Sequence, residues 1–536
     1  MADWPSNLGR SQVLAARSSV CRIVGSYDDP AECQACAKLR PLNFLIVVAD
    51  QLSPRALPPY GNQVVHAPAI GRLAESGAVF EHAYCNFPLC APSRASFMTG
   101  RLASRSGVYD NGAEFPASVP TLAHRLRAAG YRTCLAGKMH FIGPDQLHGF
   151  EQRLTPDIYP AGMHWIPDWT IPTTERLPWY HDMTSVFEAG PTGASLQRAY
   201  DEQVASRSAR AIHDLATASD GQPFLLVASF SQPHDPWEST AEHWQRYDGV
   251  EIDLPRVAHI PDEQVDPHTR RVREMCGAIG VEVPEPVLLN ARRSHYASIS
   301  WVDDVVADLV GRLDAERVLD DTVVVFMADH GEMLGERGDW YKMSFFEPAV
   351  TVPLILNAPR HVAPGRVSGS VSLLDLAPTL LDMANAPNDA ELDGASLVPR
   401  LSARGARART VVGEYLAEGA VAPVVMLREA NLKFIHSPTD PDLLFDLDRD
   451  PDELHNLAGD PAHAADVKRF GDEVARRWDL PALQAQIEAS QRRRRLIAAA
   501  VEHGAAPEWD YGDSDGPYVR GADFWAPFKK YRVTPA

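Results

Sequence analysis

Four runs along the chain are apolar at nearly every position: Phe44-Leu45-Ile46-Val47-Val48-Ala49, Phe224-Leu225-Leu226-Val227-Ala228, Val323-Val324-Val325-Phe326-Met327 and Val352-Pro353-Leu354-Ile355-Leu356. Continuous rather than alternating hydrophobicity marks strands covered on both faces, as in a parallel sheet. Pro353 assigns the last run to an edge or a late strand position, because proline has no N–H for a central ladder. Helical spacing fills the gaps. It predicts helices over residues 70–77, over 121–130 with Gly130 as C-cap, and over 295–317 on the spacing of Ile299, Val302, Val306, Leu309 and Leu313. Strands alternating with helices predict an α/β fold, a large mixed but mostly parallel sheet sandwiched by helices. This domain spans residues 42–395.

The pattern shifts after about residue 395. Residues 410–415 and 424–435 read as short strands, the second broken at Glu429-Ala430-Asn431. Residues 461–478 read as a helix with Asp460 as cap and Pro461 at its first position. Residues 396–480 are therefore expected to form a small antiparallel-sheet domain. Residues 481–536 read as a tail carrying Arg492-Arg493-Arg494-Arg495, then Trp509, Tyr511, Tyr518, Phe524, Trp525, Phe528 and Tyr531. Left in water these aromatics would form an apolar patch, so the tail is expected to be an oligomerisation arm of a homodimer or homotetramer. Residues 1–41 are polar and aperiodic, a poorly ordered extension. Their Cys33-Gln-Ala-Cys36 lacks a second pair at metal spacing.

Composition narrows the function classes. Of 536 residues, 45% are hydrophobic and 23% charged, which excludes wholesale disorder. No apolar run approaches the roughly 18 residues of a membrane span. A net charge of −20 sets the chain against polyphosphate backbones, so nucleic acid is not an expected partner. Seven cysteines, and no signal-like core at the N-terminus, fit a cytoplasmic protein with free thiols.

Open α/β sheets bind ligands beyond the carboxyl ends of their strands. Asp50-Gln51 follows the first run, Lys138 and His140 follow Thr133-Cys134-Leu135, His234-Asp235 follows the Phe224 run, and Asp329-His330-Gly331-Glu332 follows the Val323 run. One such Asp is ordinarily a helix cap; four clusters at one end of a sheet mark a site. Asp50, Gln51, Asp329 and His330 make an oxygen-rich donor set for one hard divalent ion, Ca²⁺ first, with Mn²⁺ or Mg²⁺ as alternatives. Cys90-Ala91-Pro92-Ser93-Arg94 places a cysteine where a helix can open, with Arg94 one turn on to hold an anion. By itself this also fits a buried cysteine at a helix start.

Cys90-Ala91-Pro92-Ser93-Arg94, followed by Thr99-Gly100-Arg101, resembles the signature of the type I sulfatases in the alkaline phosphatase superfamily. The likeness extends over about residues 42–480, through Asp50, Lys138, His140, His234, Asp329, His330 and Lys342 in order, to residues 444–457. It implies an alkaline-phosphatase-like fold. It also implies that a formylglycine-generating enzyme oxidises Cys90 to formylglycine, whose hydrate attacks the sulfur of a small sulfate ester. Most members carry two adjacent Asp after the first strand. Asp50-Gln51 is similar instead to the branch of choline sulfatases and phosphonate monoester hydrolases. Residues 86–94, 109–115 and 137–150, and Arg492–Arg495 followed by Trp509-Asp510, resemble the choline sulfatases.

The resemblance implies roles. Asp50, Gln51, Asp329, His330 and the modified Cys90 hold the metal. Arg94 orients the nucleophile, and Lys138 and Lys342 neutralise sulfate oxygens. His140 is the base that breaks the hemiacetal and His234 the acid for the departing alkoxide; Asn111 binds the diol or a sulfate oxygen. A quaternary ammonium calls for aromatic faces and a carboxylate. The Pro-rich loop of residues 159–187, with Tyr159, Trp165, Trp169, Trp179, Tyr180, His181 and Phe187, is the candidate. Trp165 and His181 are expected to form the cage, with Glu414 as counter-charge. The expected reaction is choline-O-sulfate to choline and sulfate. The alternatives are a phosphonate monoester or phosphate diester hydrolase, a broad arylsulfatase, or a non-catalytic anion-binding protein if Cys90 is not converted.

Overall fold

The computed structural model describes residues 41–172, 181–388, 391–402, 409–505, 507–512, 518–520 and 524–533. The Cys33–Cys36 pair, Trp179 and Tyr180 lie outside them.

The main sheet is built from β1 (Asn43–Ala49), β2 (Ala78–Tyr84), β3 (Arg132–Gly137), β4 (Gln152–Arg153), β5 (Phe224–Ser229), β6 (Thr322–Ala328), β7 (Leu354–Asn357) and β8 (Gly365–Ser372). Their order is β8-β2-β7-β6-β1-β5-β3-β4, and the two residues Thr351–Val352 pair with β2 as a ninth short strand. β6, β1, β5, β3 and β4 run parallel. β7 is antiparallel to both β6 and β2. Two reversals return β2 to the direction of β1, so the loop after β2 emerges at the same end as those after β1, β3, β5 and β6. The apolar runs lie in the centre: Phe44 to Ala49, Phe224 to Ser229 and all of β6 are buried, as expected for strands covered on both faces.

The helices include α1 (Pro68–Ser76), α2 (Cys90–Thr99), α3 (Leu196–Ala216), α4 (Glu285–Ala315), α5 (Ala464–Arg477), α6 (Leu480–Val501) and α7 (Trp525–Tyr531). A second sheet of β9 (Val411–Tyr415), β10 (Val424–Glu429), β11 (Leu432–Ser437) and β12 (Asp440–Asp446) is a four-stranded antiparallel meander. α5 covers it, with Phe470 stacked on Phe434 at 5.4 Å. The small sheet is tied to the large one at a telling place. Asn86, in the loop leading to Cys90, donates to the Val412 carbonyl at 2.6 Å, and the Glu414 N–H donates to the Asn86 carbonyl at 2.8 Å.

Several expectations are corrected. The strand after Pro353 lies inside the sheet, between β6 and β2. Pro353 is tolerated because it falls in the break between Val352 and Leu354. The long helix begins at Glu285, ten residues before the expected start. The tail begins with the 22-residue helix α6. Part of the tail's aromatic cluster packs on its own chain: Phe524 and Phe528 are 3% exposed, Phe524 lies 6.0 Å from Tyr159, and the Val519 N–H donates to the Ile158 carbonyl at 3.0 Å. Tyr511, Leu496 and Ile497 stay exposed. No helix among the described residues is long and apolar enough to cross a membrane.

Candidate active site

Four parallel strands deliver their C-terminal residues to one place. Asp50 follows β1, Lys138 follows β3, His234 follows β5, and Asp329 and His330 follow β6; all are buried. β2 contributes through the loop that ends at Leu89, where α2 starts with Cys90 in its first turn. Backbone strain is concentrated here. Gln51, His140, Tyr341 and Met343 all adopt left-handed φ, between 55° and 69°, a conformation that side chains with a Cβ disfavour.

Cys90 Sγ lies 3.2 Å from His330 Nε2, 3.6 Å from Lys138 Nζ and 3.9 Å from Asp50 Oδ1. Ligand atoms of Asp50, Cys90, Asp329 and His330 all fall within 4.8 Å of one another. Burial, then the neighbouring Asp329, raises Asp50 to about 6. Burial would raise Asp329 too, but Arg94, His330 and Lys138 hold its carboxyl well below the usual range. Burial keeps the His330 imidazole neutral, with its pKa down to about 3, and its Nδ1 faces the Gly331 carbonyl at 3.0 Å. Two carboxylates and a neutral imidazole with its second nitrogen already engaged are a donor set that fits a divalent cation. Gln51 stands beside it. Its N–H donates to Asp329 Oδ1 at 3.0 Å, while its carboxamide meets Lys342, Asp235 and Glu332.

Three cations face this group. Arg94 donates Nε to Asp329 Oδ2 at 2.9 Å and Nη1 to Ser229 Oγ at 2.8 Å. Lys138 is bonded to Asp50 Oδ2 and lies over the Tyr159 ring, 4.3 Å from its centroid. Lys342 Nζ lies 2.9 Å from His234 Nε2. Its loop is pinned to the Cys90 loop by the Met343 N–H, which donates to the Pro88 carbonyl at 3.1 Å. His234 Nδ1 faces the Asp235 carbonyl at 2.5 Å. Burial and then Lys342 push the His234 pKa well below its ordinary value; burial and then Lys138 do the same to His140. Both His140 nitrogens are buried and without a hydrogen-bond partner among the described residues. The His140 backbone is held by Asp157, whose Oδ2 accepts the N–H groups of Met139 and His140 at 2.9 and 2.8 Å. Asn111 Oδ1 accepts the Ala91 N–H at 3.0 Å, one residue from the cysteine.

An aromatic wall adjoins these groups. Trp165 lies 5.6 Å from His140 and 5.4 Å from Tyr159, and Tyr159 lies 6.3 Å from His234. His181 stacks on Tyr341 at 4.5 Å and on His234 at 5.5 Å, with Nδ1 3.3 Å from Asp235 Oδ2. Tyr159 is the link between the Trp165 side and the His234–His181 side. Glu414 is not part of this wall. Its carboxylate accepts from the Ser104 N–H and hydroxyl at 2.8 and 2.6 Å and from Trp478 Nε1 at 2.6 Å. It fastens the small sheet to α5's end; the carboxylate beside His181 is that of Asp235.

The sequence placed Asp235 and Glu332 in the strand-end clusters and Tyr159 in the candidate aromatic loop without giving them roles, and it did not point to Asp157. Glu332 is buried, raised by that burial to about 8, and accepts the N–H groups of Leu334 and Tyr341 at 2.7 Å. Its place directly after Asp329-His330 was the one signal for it. Asp157 comes from a stretch whose proximity to β3 has no local signature.

Residues 42–386 match the family described as Sulfatase, and residues 335–478 match N-sulphoglucosamine sulphohydrolase, C-terminal. The choline-sulfatase of Rhizobium meliloti (strain 1021) is 42% identical over 478 residues, 88% of this chain and 93% of that one. Among solved structures, the phosphonate monoester hydrolase SpPMH from Silicibacter pomeroyi superposes with a TM-score of 0.65 at 26% identity, over 81% of this chain and 94% of its own. The phosphonate monoester hydrolase of Agrobacterium radiobacter, at 24% identity, shares the fold with a TM-score of 0.64 over 84% of this chain and 96% of its own.

Proposed function

This chain belongs to the sulfatase family and is a sulfuric ester hydrolase, and on that premise we propose that its substrate is choline-O-sulfate, split to choline and sulfate. The observation that carries the proposal is the 42% identity to a choline-sulfatase over nearly the whole chain. The aromatic wall of Trp165, Tyr159 and His181, with the Asp235 carboxylate behind it, supports it as a surface for a quaternary ammonium, which cannot donate hydrogen bonds.

In this reading a formylglycine-generating enzyme converts Cys90 to formylglycine, whose hydrate would supply one hydroxyl to attack sulfur and a second whose loss of a proton would expel the sulfate carried on the first. Asp50, Asp329, His330, residue 90 and Gln51 would hold one divalent ion, Ca²⁺ first, which lends Lewis acidity toward a sulfate oxygen. The remaining work falls to side chains. Arg94, fixed by Asp329 and Ser229, orients residue 90. Lys138 and Lys342 neutralise charge on the non-bridging oxygens. His234 receives a proton from Lys342 at Nε2 and passes it to the leaving oxygen, while Nδ1 stays on the Asp235 carbonyl. His140, kept neutral by its surroundings, takes the proton from the second hydroxyl. Asn111 closes the nucleophile's side.

Phosphonate monoester or diester hydrolysis by the same groups is the second reading, supported by the likeness to SpPMH. Comparing kcat/KM on choline sulfate and on an aryl phosphonate separates the two, run beside mass spectrometry of the residue-90 peptide. The expected result is an aldehyde at residue 90 and a preference for choline sulfate. A preference for the phosphonate selects the second reading, and an intact thiol in active protein removes the formylglycine chemistry.

A further inference from the structure

The buried stripe of α6 begins apolar and ends polar: Leu480, Leu483, Ile487, then Ser490, Gln491 and Arg494. Arg494 grips the Asp110 carboxylate with two nitrogens, Nη1 to Oδ1 at 2.7 Å and Nη2 to Oδ2 at 2.6 Å. Asp110 is wholly buried, and its Oδ1 also accepts the Gly112 N–H at 2.9 Å. The turn Asp110-Asn111-Gly112 is thereby fixed, and Asn111 in turn takes the N–H of Ala91 in the first turn of α2. Gly112 lies flush against the aromatic loop: a Cβ there would stand 2.6 Å from the Trp165 carbonyl oxygen. From the same face of α6, Gln491 Oε1 accepts the Trp169 N–H at 3.1 Å, and Arg495 meets Asp168 Oδ2 at 2.5 Å. Positions 491, 494 and 495 lie three and four residues apart, which places them together on one side of a helix.

We infer that Arg494 is a positioning residue for the nucleophile: its two-point hold on Asp110 sets the Asn111 turn, and that turn sets residue 90 at the head of α2. The inference rests on the sulfatase reading, because it takes residue 90 to be the attacking group. A planar guanidinium matched to a carboxylate fixes orientation as well as distance, which a lysine ammonium does not. Catalytic geometry is sensitive on this scale, since a displacement of about 1 Å can cost about 10²-fold in rate.

The test uses the full chain, choline sulfate and 4-nitrophenyl sulfate, and the variants Arg494→Lys, Arg494→Ala and Arg492→Ala. Arg492 is exposed on the same helix and, among the described residues, pairs with Glu488 at 3.6 Å. Residue-90 aldehyde content and Tm are measured on each preparation. Arg494→Lys is expected to lower kcat by about 10–100-fold on both esters with KM, aldehyde content and Tm close to wild type. Arg494→Ala is expected to lose more and to regain part of it with millimolar guanidinium, while Arg492→Ala keeps wild-type kinetics. Wild-type kcat in Arg494→Lys, or a loss that follows aldehyde content or folded fraction, overturns the inference. If Arg494→Ala does not fold, Arg494→Lys decides alone. A wild-type chain active only on the aryl ester sinks the choline reading while the Arg494 comparison proceeds on that ester; inactivity on both sinks the two together.

Discussion

Desolvation makes Cys90 a weak reagent as a thiol. Its proton is held up to about 11 by burial, against the pull of Lys138 and Lys342, so its sulfur is uncharged at neutral pH. The proposed conversion to formylglycine would replace that thiol with a group able to attack. His234 shows the complementary case. Burial and Lys342 leave it neutral, and the same lysine lies within hydrogen-bonding distance to supply a proton. Choline leaves as an alkoxide that needs that proton, whereas a nitrophenolate does not. His234→Ala is therefore expected to cut kcat/KM on choline sulfate by about 10²–10⁴-fold and to cost far less on 4-nitrophenyl sulfate. Steady-state kinetics on the two esters checks this; equal losses would exclude His234 as the acid.

Among the elements, the loop bearing Tyr159 and Trp165 is the one the proposal makes responsible for substrate choice. Trp165→Ala is expected to raise KM for choline sulfate about tenfold, the scale of one cation–π contact, and to leave KM for an aryl sulfate nearly unchanged. The same rise for both esters would make the indole a packing group only. Legibility in the sequence followed what each element buries. β1, β5 and β6 stood out because every position but one terminal residue is apolar, and with them Asp50, Asp329 and His330 at the ends of β1 and β6. The first turns of α4 did not, because residues 285–290 are exposed or half-buried and the buried face then opens with Ala291, Arg292 and Ser294. α6 was hidden for the same reason: Ser490, Gln491 and Arg494 break its stripe. β2 mixes Glu81 and His82 into an otherwise apolar run. Glu414 was misread because nothing local reveals that Ser104 and Trp478, far apart in the chain, occupy its carboxylate.

For the molecule as a whole, buried neutral histidines couple stability to pH. Burial holds His295 down to about 3 and His148 to about 4. In the unfolded chain each takes a proton below about 6.5. Between those limits the unfolded state binds more protons, so stability is complete above about pH 6.5 and falls as pH drops toward 3. His295 alone accounts for a slope approaching about 1.4 kcal/mol per pH unit inside its window. His295→Phe is expected to be less stable than wild type at pH 7.5 but to lose less between pH 7.5 and 5.0, as read by urea unfolding. Parallel losses in the two proteins would mean that His295 is not what couples folding to acid.

Position 90 is 1% exposed, under the ends of strands that arrive much later in the chain. Asp329 and His330, which close over it, are translated more than two hundred residues afterward. If Cys90 is converted as proposed, a maturing enzyme would have to reach that thiol while the nascent polypeptide is still threading out, before β6 docks. Supplying such an enzyme to finished, purified protein would then come too late, and the share of working copies would be decided at the ribosome.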